Sequence, residues 1–190
     1  MARLKDPQRR TMIMNHSLDL FAKRGFHAVS VKDLAETCGI SLGSLYTYFD
    51  SKEQLVNELF RHWKLRFADA ASVGTSEVRG REAHRRLWMN IGNFIAENSQ
   101  AFSFLEAQLH ATYLDQESAT LEMTLTQSIV QYYVERLELA LSPAQSQLVI
   151  SATFGAYVQI LKASQAKLLQ LNDETRENLE KLAWGMTSQA

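Results

Sequence analysis

The residues whose types and spacing suit chemistry gather between Val31 and Leu55, and the chemistry they suit is hydrogen bonding to a polyanion. The run Ser41-Leu42-Gly43-Ser44-Leu45-Tyr46-Thr47-Tyr48-Phe49 carries no charge and is rich in hydroxyls. In a helix, Leu45 and Phe49 are four apart and share an inward face. Leu42, Gly43, Ser44, Tyr46, Thr47 and Tyr48 are then left on the outside. Hydroxyls bond phosphate oxygens and base edges, and a glycine lets a backbone approach DNA closely. Lys52 falls in the first turn of the following helix, where free amides and the positive end of the dipole also favour a phosphate.

No reaction centre is evident elsewhere in the sequence. There is no defensible nucleophile–base pair, phosphate loop or metal-ligand set. Glu106 and His110 have the i, i+4 spacing of two metal ligands, but no second pair joins them, and a hydrogen-bonded histidine is the simpler reading. No catalytic residue, metal or cofactor is expected. Cys38 is the single cysteine, which excludes an internal disulfide or a cysteine-rich zinc site. Beside Gly39 it reads as a small packed residue, with a redox sensor as the alternative.

The elements that must position these residues are helical throughout, with no alternating strand pattern, so the fold class is all-α. Asp6-Pro7 opens a first helix that stops at Gly25. Ser30 with Asp33 starts a short second helix to Thr37, and Gly39 ends it. Ser41 caps a third that closes near Phe49. Ser51 with Gln54 reads as a capping box for a long fourth helix to about Ala71. Further helices are expected at 77–97, 100–113, 116–140, 143–170 and 173–188, about nine in all. The two short helices joined by Cys38-Gly39-Ile40-Ser41 form a helix-turn-helix, with Gly39 redirecting the chain at positive φ. Leu34, Ala35 and Ile40 supply the contacts between them.

Charge agrees in its distribution rather than its sum. The net charge is −1 over 190 residues, yet residues 1–66 carry 11 Lys and Arg against 7 Asp and Glu. A mildly basic head on an acidic body fits a chain that touches a polyanion at one end. No run of 18 apolar residues suggests a membrane helix. The opening Met-Ala-Arg-Leu-Lys-Asp-Pro lacks the apolar core of a signal peptide. A cytoplasmic protein without membrane association is expected.

The pattern Val31-x-x-Leu34-Ala35-x-x-Cys38-Gly39-Ile40-Ser41-x-Gly43-Ser44-Leu45-Tyr46-x-Tyr48-Phe49-x-Ser51-Lys52-Glu53-x-Leu55 resembles the TetR family of transcriptional regulators. The likeness extends upstream through Ala22-Lys23-Arg24-Gly25-Phe26 and covers about residues 8–60. It implies a three-helix DNA-binding head at 1–50 and a helical ligand-binding and dimerisation body at 51–190, with 51–71 as the linking helix. Carried onto matching positions, it implies phosphate contacts from Tyr46, Tyr48 and Lys52. Lys32, Leu42, Gly43, Ser44 and Thr47 would lie nearest the bases, and Ser41 completes the candidate DNA-binding set. Leu42 stands where such proteins often have a polar or basic residue, so its contact would be to a thymine methyl.

The resemblance also implies a small-molecule effector, largely apolar, held among the central helices. Candidate lining residues are Trp63, Phe67, Trp88, Phe104, His110, Tyr113 and Phe154, with Asn93 and Gln108 as polar anchors. For each, a place in the core is the simpler reading. Ser151, Ala152, Gly155 and Ala156 on one late helix, and Leu179, Leu182, Ala183 and Met186 on the last, suggest a homodimer interface, with burial inside the monomer as the alternative. Two-fold pairing would let two recognition helices read a palindromic operator on double-stranded DNA. The implied function is a ligand-released repressor, not an enzyme; the alternative is a TetR-like scaffold that acts through a protein partner.

Overall fold

Side-chain caps written in the sequence set where most helices begin in the computed structural model, which describes residues 6–109 and 111–190. Asp6 accepts the Gln8 amide at 2.9 Å and starts α1 (Pro7–Arg24). Ser30 and Asp33 close a reciprocal capping box at α2 (Val31–Thr37), and Ser41 caps α3 (Leu42–Tyr48). The fourth helix, α4 (Lys52–Ser72), starts at Ser51, whose hydroxyl accepts the Gln54 amide at 3.0 Å. The Gln54 side chain reaches the amide of Asp50, one residue before the expected box partner. Then follow α5 (Gly80–Glu97), α6 (Ser99–Gln108), α7 (Gln116–Arg136), α8 (Pro143–Gln165) and α9 (Asp173–Ser188). Ser142 with Gln145 forms the expected box at α8, and Asn172 caps α9. Among the described residues there is no strand, so the all-α expectation holds. Nor is any described helix long and apolar enough to cross a membrane.

Four helix limits differ from expectation, three at C-termini. The segment expected to open α5 at 77 is a 3₁₀ turn, Thr75–Glu77. The chain leading into it is held by Asn90, whose amide donates to the carbonyls of Ala71 (3.1 Å) and Val73 (2.9 Å). Helix α6 ends at Gln108 instead of 113, because the Asn57 side chain takes up the Tyr113 carbonyl and the Asp115 amide. Helix α7 stops at Arg136, just before Glu138 turns to φ 56°. Helix α8 stops at Gln165, where Lys167 at φ 60° lets the Leu168 amide reach back to the Ala163 carbonyl at 2.9 Å, closing the helix end.

The chain divides into two compact units, one of residues through Lys64 with Gln100–Thr120, the other of Leu65–Ser99 with Leu121–Ala190. These differ from the expected 1–50 and 51–190, chiefly because α6 and the segment after it join the first unit. The first unit is centred on Ile13, Phe21, Leu34, Leu45, Phe49, Val56 and Leu59, all essentially inaccessible. Burying each such side chain contributes about 1.5–3 kcal/mol. In the second unit Trp88 stacks on Tyr157 (centroids 5.2 Å apart) and donates its indole N–H to the Tyr133 hydroxyl at 2.5 Å.

Candidate nucleic-acid interface

The helix-turn-helix is fixed from inside. Leu34 and Ala35 on α2 and Leu45 with Phe49 at α3 are buried. The turn between them is closed by the Ile40 amide donating to the Ala35 carbonyl at 3.0 Å, with Gly39 at φ +64°. Ser41 accepts the Ser44 amide at 3.1 Å, which satisfies one of the orphan donors at the start of α3. With one side of α3 locked, its other side faces outward. Leu42 and Tyr46 are 45% and 46% exposed. Ser41, Gly43 and Thr47 are exposed beside them and Ser44 is half-buried. Thr47 donates to the Gly43 carbonyl at 3.0 Å, which engages its proton and leaves only its lone pairs free to accept. Lys32 is exposed on α2, with Glu36 3.7 Å away, a pair weak enough to exchange for a phosphate.

Two expected contacts are placed differently. Tyr48, expected outside, is buried, because it lies on the same side of the short helix as Leu45. Lys52 is not a free clamp. Its ammonium donates to the carbonyls of Phe26 (3.0 Å) and Val29 (2.8 Å) and lies 4.0 Å from the centre of the Phe26 ring. An ammonium has three donors, so one N–H is left for an outside acceptor.

The expected effector residues are divided between the two units. Trp63, Phe104, Gln108 and Tyr113 belong to the first unit, and Phe67, Trp88, Asn93 and Phe154 to the second. Trp88, Phe104 and Gln108 are core residues; the Gln108 amide donates to the Phe104 carbonyl at 3.1 Å. Asn93, the other expected polar anchor, is exposed. Phe67 meets Phe94 and half-buried Phe154 edge-on at 5.2 and 6.1 Å. Trp63 is half-buried, and His110 lies outside the described residues. Two open grooves of about 520 Å³ each are present, one lined by Arg10, Thr11, Met14, Asn15, Glu58, Arg61 and His62 and one between the 3₁₀ turn and α7. Neither includes an expected effector residue. Among the described residues no group of three or more His, Cys, Asp or Glu side chains suits a metal. Cys38 is buried, and burial pushes its thiol up, away from the reactive thiolate.

Comparison with known proteins gives this geometry a family. Residues 13–59 match the model of the bacterial regulatory proteins, tetR family, and residues 60–188 match a tetracyclin repressor-like C-terminal domain. The chain belongs to the TetR family. Over 53 residues (28% of this chain) it is 49% identical to the HTH-type transcriptional repressor KstR2 of Rhodococcus jostii, and that match spans 26% of the relative. Over 131 residues (68% of this chain) it is 27% identical to the transcriptional regulator YuxN of Bacillus subtilis, spanning 45% of that protein. The chain thus matches less than half the length of these curated relatives. Its fold is similar to a TetR family regulator from Marinobacter aquaeolei, with a TM-score of 0.80, 22% identity and 96% of each chain covered. It is also similar to the FadR regulator of Bacillus subtilis in complex with stearoyl-CoA, with a TM-score of 0.72, 16% identity and 91% and 96% of the two chains covered.

Within this TetR-family chain, Asn57 and Arg61 of α4 are residues that sequence reasoning passed over. Asn57 is only 2% exposed and Arg61 pairs with Asp115 at 2.8 Å. A signal for Asn57 was there: an amide set among Leu55, Val56, Leu59 and Phe60 on an apolar helix face needs internal partners. The expected pairing stripe on α9 divides. Leu179 and Ala183 are core, whereas Leu182 and Met186 are exposed. On α8, Ser151, Ala152 and Gly155 are exposed, Ala156 is half-buried, and Leu148 beside them is 68% exposed.

Proposed function

We propose that this TetR-family regulator is a repressor that binds a palindromic operator as a homodimer and is released by a small-molecule effector. The observation that carries the DNA-binding part is the outward face of α3, where Leu42 and Tyr46 are held exposed while Leu45 and Phe49 anchor the helix from beneath. A phenol and a leucine kept in water on a rigid scaffold suit a phosphate hydrogen bond and a thymine methyl contact. Lys32, Ser41, Gly43, Ser44 and Thr47 complete the surface. Tyr48 contributes through its packing under α3, and Lys52 through its remaining N–H.

In this reading residues 1–50 form the reading head and 51–190 the effector-binding and dimerisation body. Two-fold pairing through the exposed apolar residues of α8 and α9 would set two α3 helices about 34–36 Å apart, one turn of duplex. An apolar effector is supported by the cluster of Phe67, Phe94 and Phe154, whose last member is half-buried. The stearoyl-CoA held by the similar FadR regulator is in keeping with that chemistry.

Selection of bound sequences from random DNA, followed by affinity measurement over a range of salt, tests the reading. Tyr46→Ala is expected to weaken operator binding about tenfold or more, the loss of a hydrogen bond to a charged group. An unchanged affinity and salt slope would sink the proposal.

A further inference from the structure

Tyr113 lies between α6 and α7, 56 residues on from Asn57, yet its ring stacks on Phe26 in the loop between α1 and α2. The ring centres are 3.8 Å apart and the planes 23° from parallel. The same Phe26 ring carries the Lys52 ammonium, which also donates to the Phe26 and Val29 carbonyls. Val29 directly precedes Ser30, the cap of α2. His27 of the same loop meets the Tyr113 ring edge-on at 5.6 Å, and Phe21 of α1 stacks on Phe26 at 6.1 Å. The loop that delivers the chain into the helix-turn-helix is therefore held partly by a ring, Tyr113, that comes from outside that motif.

Tyr113 is itself gripped. The Asn57 amide donates to the Glu53 and Tyr113 carbonyls (2.9 Å each), and its oxygen accepts the Asp115 amide at 2.8 Å. Every donor of this buried amide is engaged, and its oxygen is paired as well. The Tyr113 hydroxyl donates to Gln108 Oε1 at 2.5 Å. Arg61 holds both carboxylate oxygens of Asp115 at 2.8 Å and reaches the Ser118 hydroxyl at 2.9 Å.

We infer that Tyr113 and Asn57 are positioning residues for the DNA-reading head, fixing the α1–α2 loop and the Lys52 ammonium from a segment outside the helix-turn-helix. The inference rests on the DNA-binding function proposed above. It gives Tyr113 a different task from the effector contact expected of it. Stacked rings are stiff and need no hydration, so a shift of the 113–118 segment would pass directly to Phe26.

The test uses the full chain and operator DNA selected as above. Tyr113→Ala is expected to weaken operator binding about tenfold, the scale of a lost aromatic pair. Tyr113→Phe keeps the ring, loses only the bond to Gln108, and should bind like the wild type. In a double-mutant cycle, Tyr113→Ala should cost little more once Lys52→Ala is present, because both act through Phe26. Should Tyr113→Ala melt below the assay temperature, Tyr113→Leu, which keeps apolar bulk without the ring, replaces it with the same expectation. Wild-type affinity in Tyr113→Ala or its Leu replacement, equal losses in the Ala and Phe variants, or strict additivity with Lys52→Ala would each overturn the inference. A wild-type chain that forms no specific DNA complex would remove the DNA-binding proposal and this inference together. A wild-type complex that Tyr113→Ala leaves intact removes the inference alone.

Discussion

At Gly39 the backbone takes φ +64°, and a Cβ built there would meet no atom within 4 Å. Gly39→Ala therefore carries a purely conformational cost, about 1–2 kcal/mol of unfolding free energy, readable by denaturant titration. Gly43 lies on the exposed face of α3 with an ordinary backbone and equally open space around its Cβ. Gly43→Ala should stabilise the free protein by up to about 0.5–1 kcal/mol, since alanine is the better helix former. It should at the same time weaken operator binding, because in the proposed interface the new methyl would stand between the backbone and DNA. Equal operator affinity in Gly43→Ala would show that no close approach occurs there. The turn at Gly39 was legible in the sequence, and so was the place of Gly43 on the outer side of α3. The burial of Tyr48 and the internal partners of Lys52 were not legible, each for its own reason. A helix of seven residues has too few apolar positions to define its buried side by spacing alone, so Tyr46 and Tyr48 could not be ranked. The partners of Lys52 are backbone carbonyls 23 and 26 residues away, which carry no side-chain signature.

Helix starts were legible because they are written in side chains: Asp6, Ser30, Ser41, Ser142 and Asn172 each bond the amide expected of a cap. Helix ends were less so. Glu138 and Lys167 turn left-handed without being glycine, and α6 is cut short by an amide on α4. The link between α5 and α9 was likewise invisible. Arg81 and His84 on α5 both hold Glu180 on α9, with His84 Nδ1 2.9 Å from the carboxylate and the Thr187 hydroxyl 3.3 Å from His84 Nε2. Burial alone would raise the Glu180 pKa, but the bonds from His84 and Arg81 bring it down to about 2. Burial lowers that of His84 against the pull of Glu180. A depressed carboxylate stabilises the fold above its unfolded pKa of 4.5 and loses that contribution as pH falls towards 2. The loss is on the order of 2–3 kcal/mol. A neutral buried histidine acts in the same direction below 6.5. Thermal melts of the wild type should therefore fall as the pH drops from about 5 towards 2. Glu180→Gln should melt lower at pH 7 and show a shallower acid slope; parallel slopes in the two proteins would contradict the assignment.

At the scale of the assembled molecule, the proposed dimer depends on a surface that the single chain leaves in water. Leu148 on α8 and Leu182 on α9 are 68% and 66% exposed, Met186 is 40% exposed, and Ser151, Ala152 and Gly155 beside them are small. Small side chains let two helices approach closely, and the leucines provide the apolar area that such an approach would remove from water. In a two-fold pairing each residue occurs twice, so a substitution is felt twice in one interface. Leu148→Glu with Leu182→Glu therefore places four carboxylates where four leucines would be buried. Each leucine contributes about 1.5–3 kcal/mol when buried, so dimerisation should weaken by at least about a hundredfold. Because both positions are already exposed in the monomer, its helical content and melting in dilute solution should be close to those of the wild-type chain at the same concentration. Sedimentation velocity across a concentration series separates the outcomes. A monomer that has also lost tight operator binding supports pairing through α8 and α9 as the route to two reading heads on one site. A double variant that still sediments as a dimer would place the interface elsewhere, and a dimer that keeps its operator affinity would exclude this face from recognition altogether.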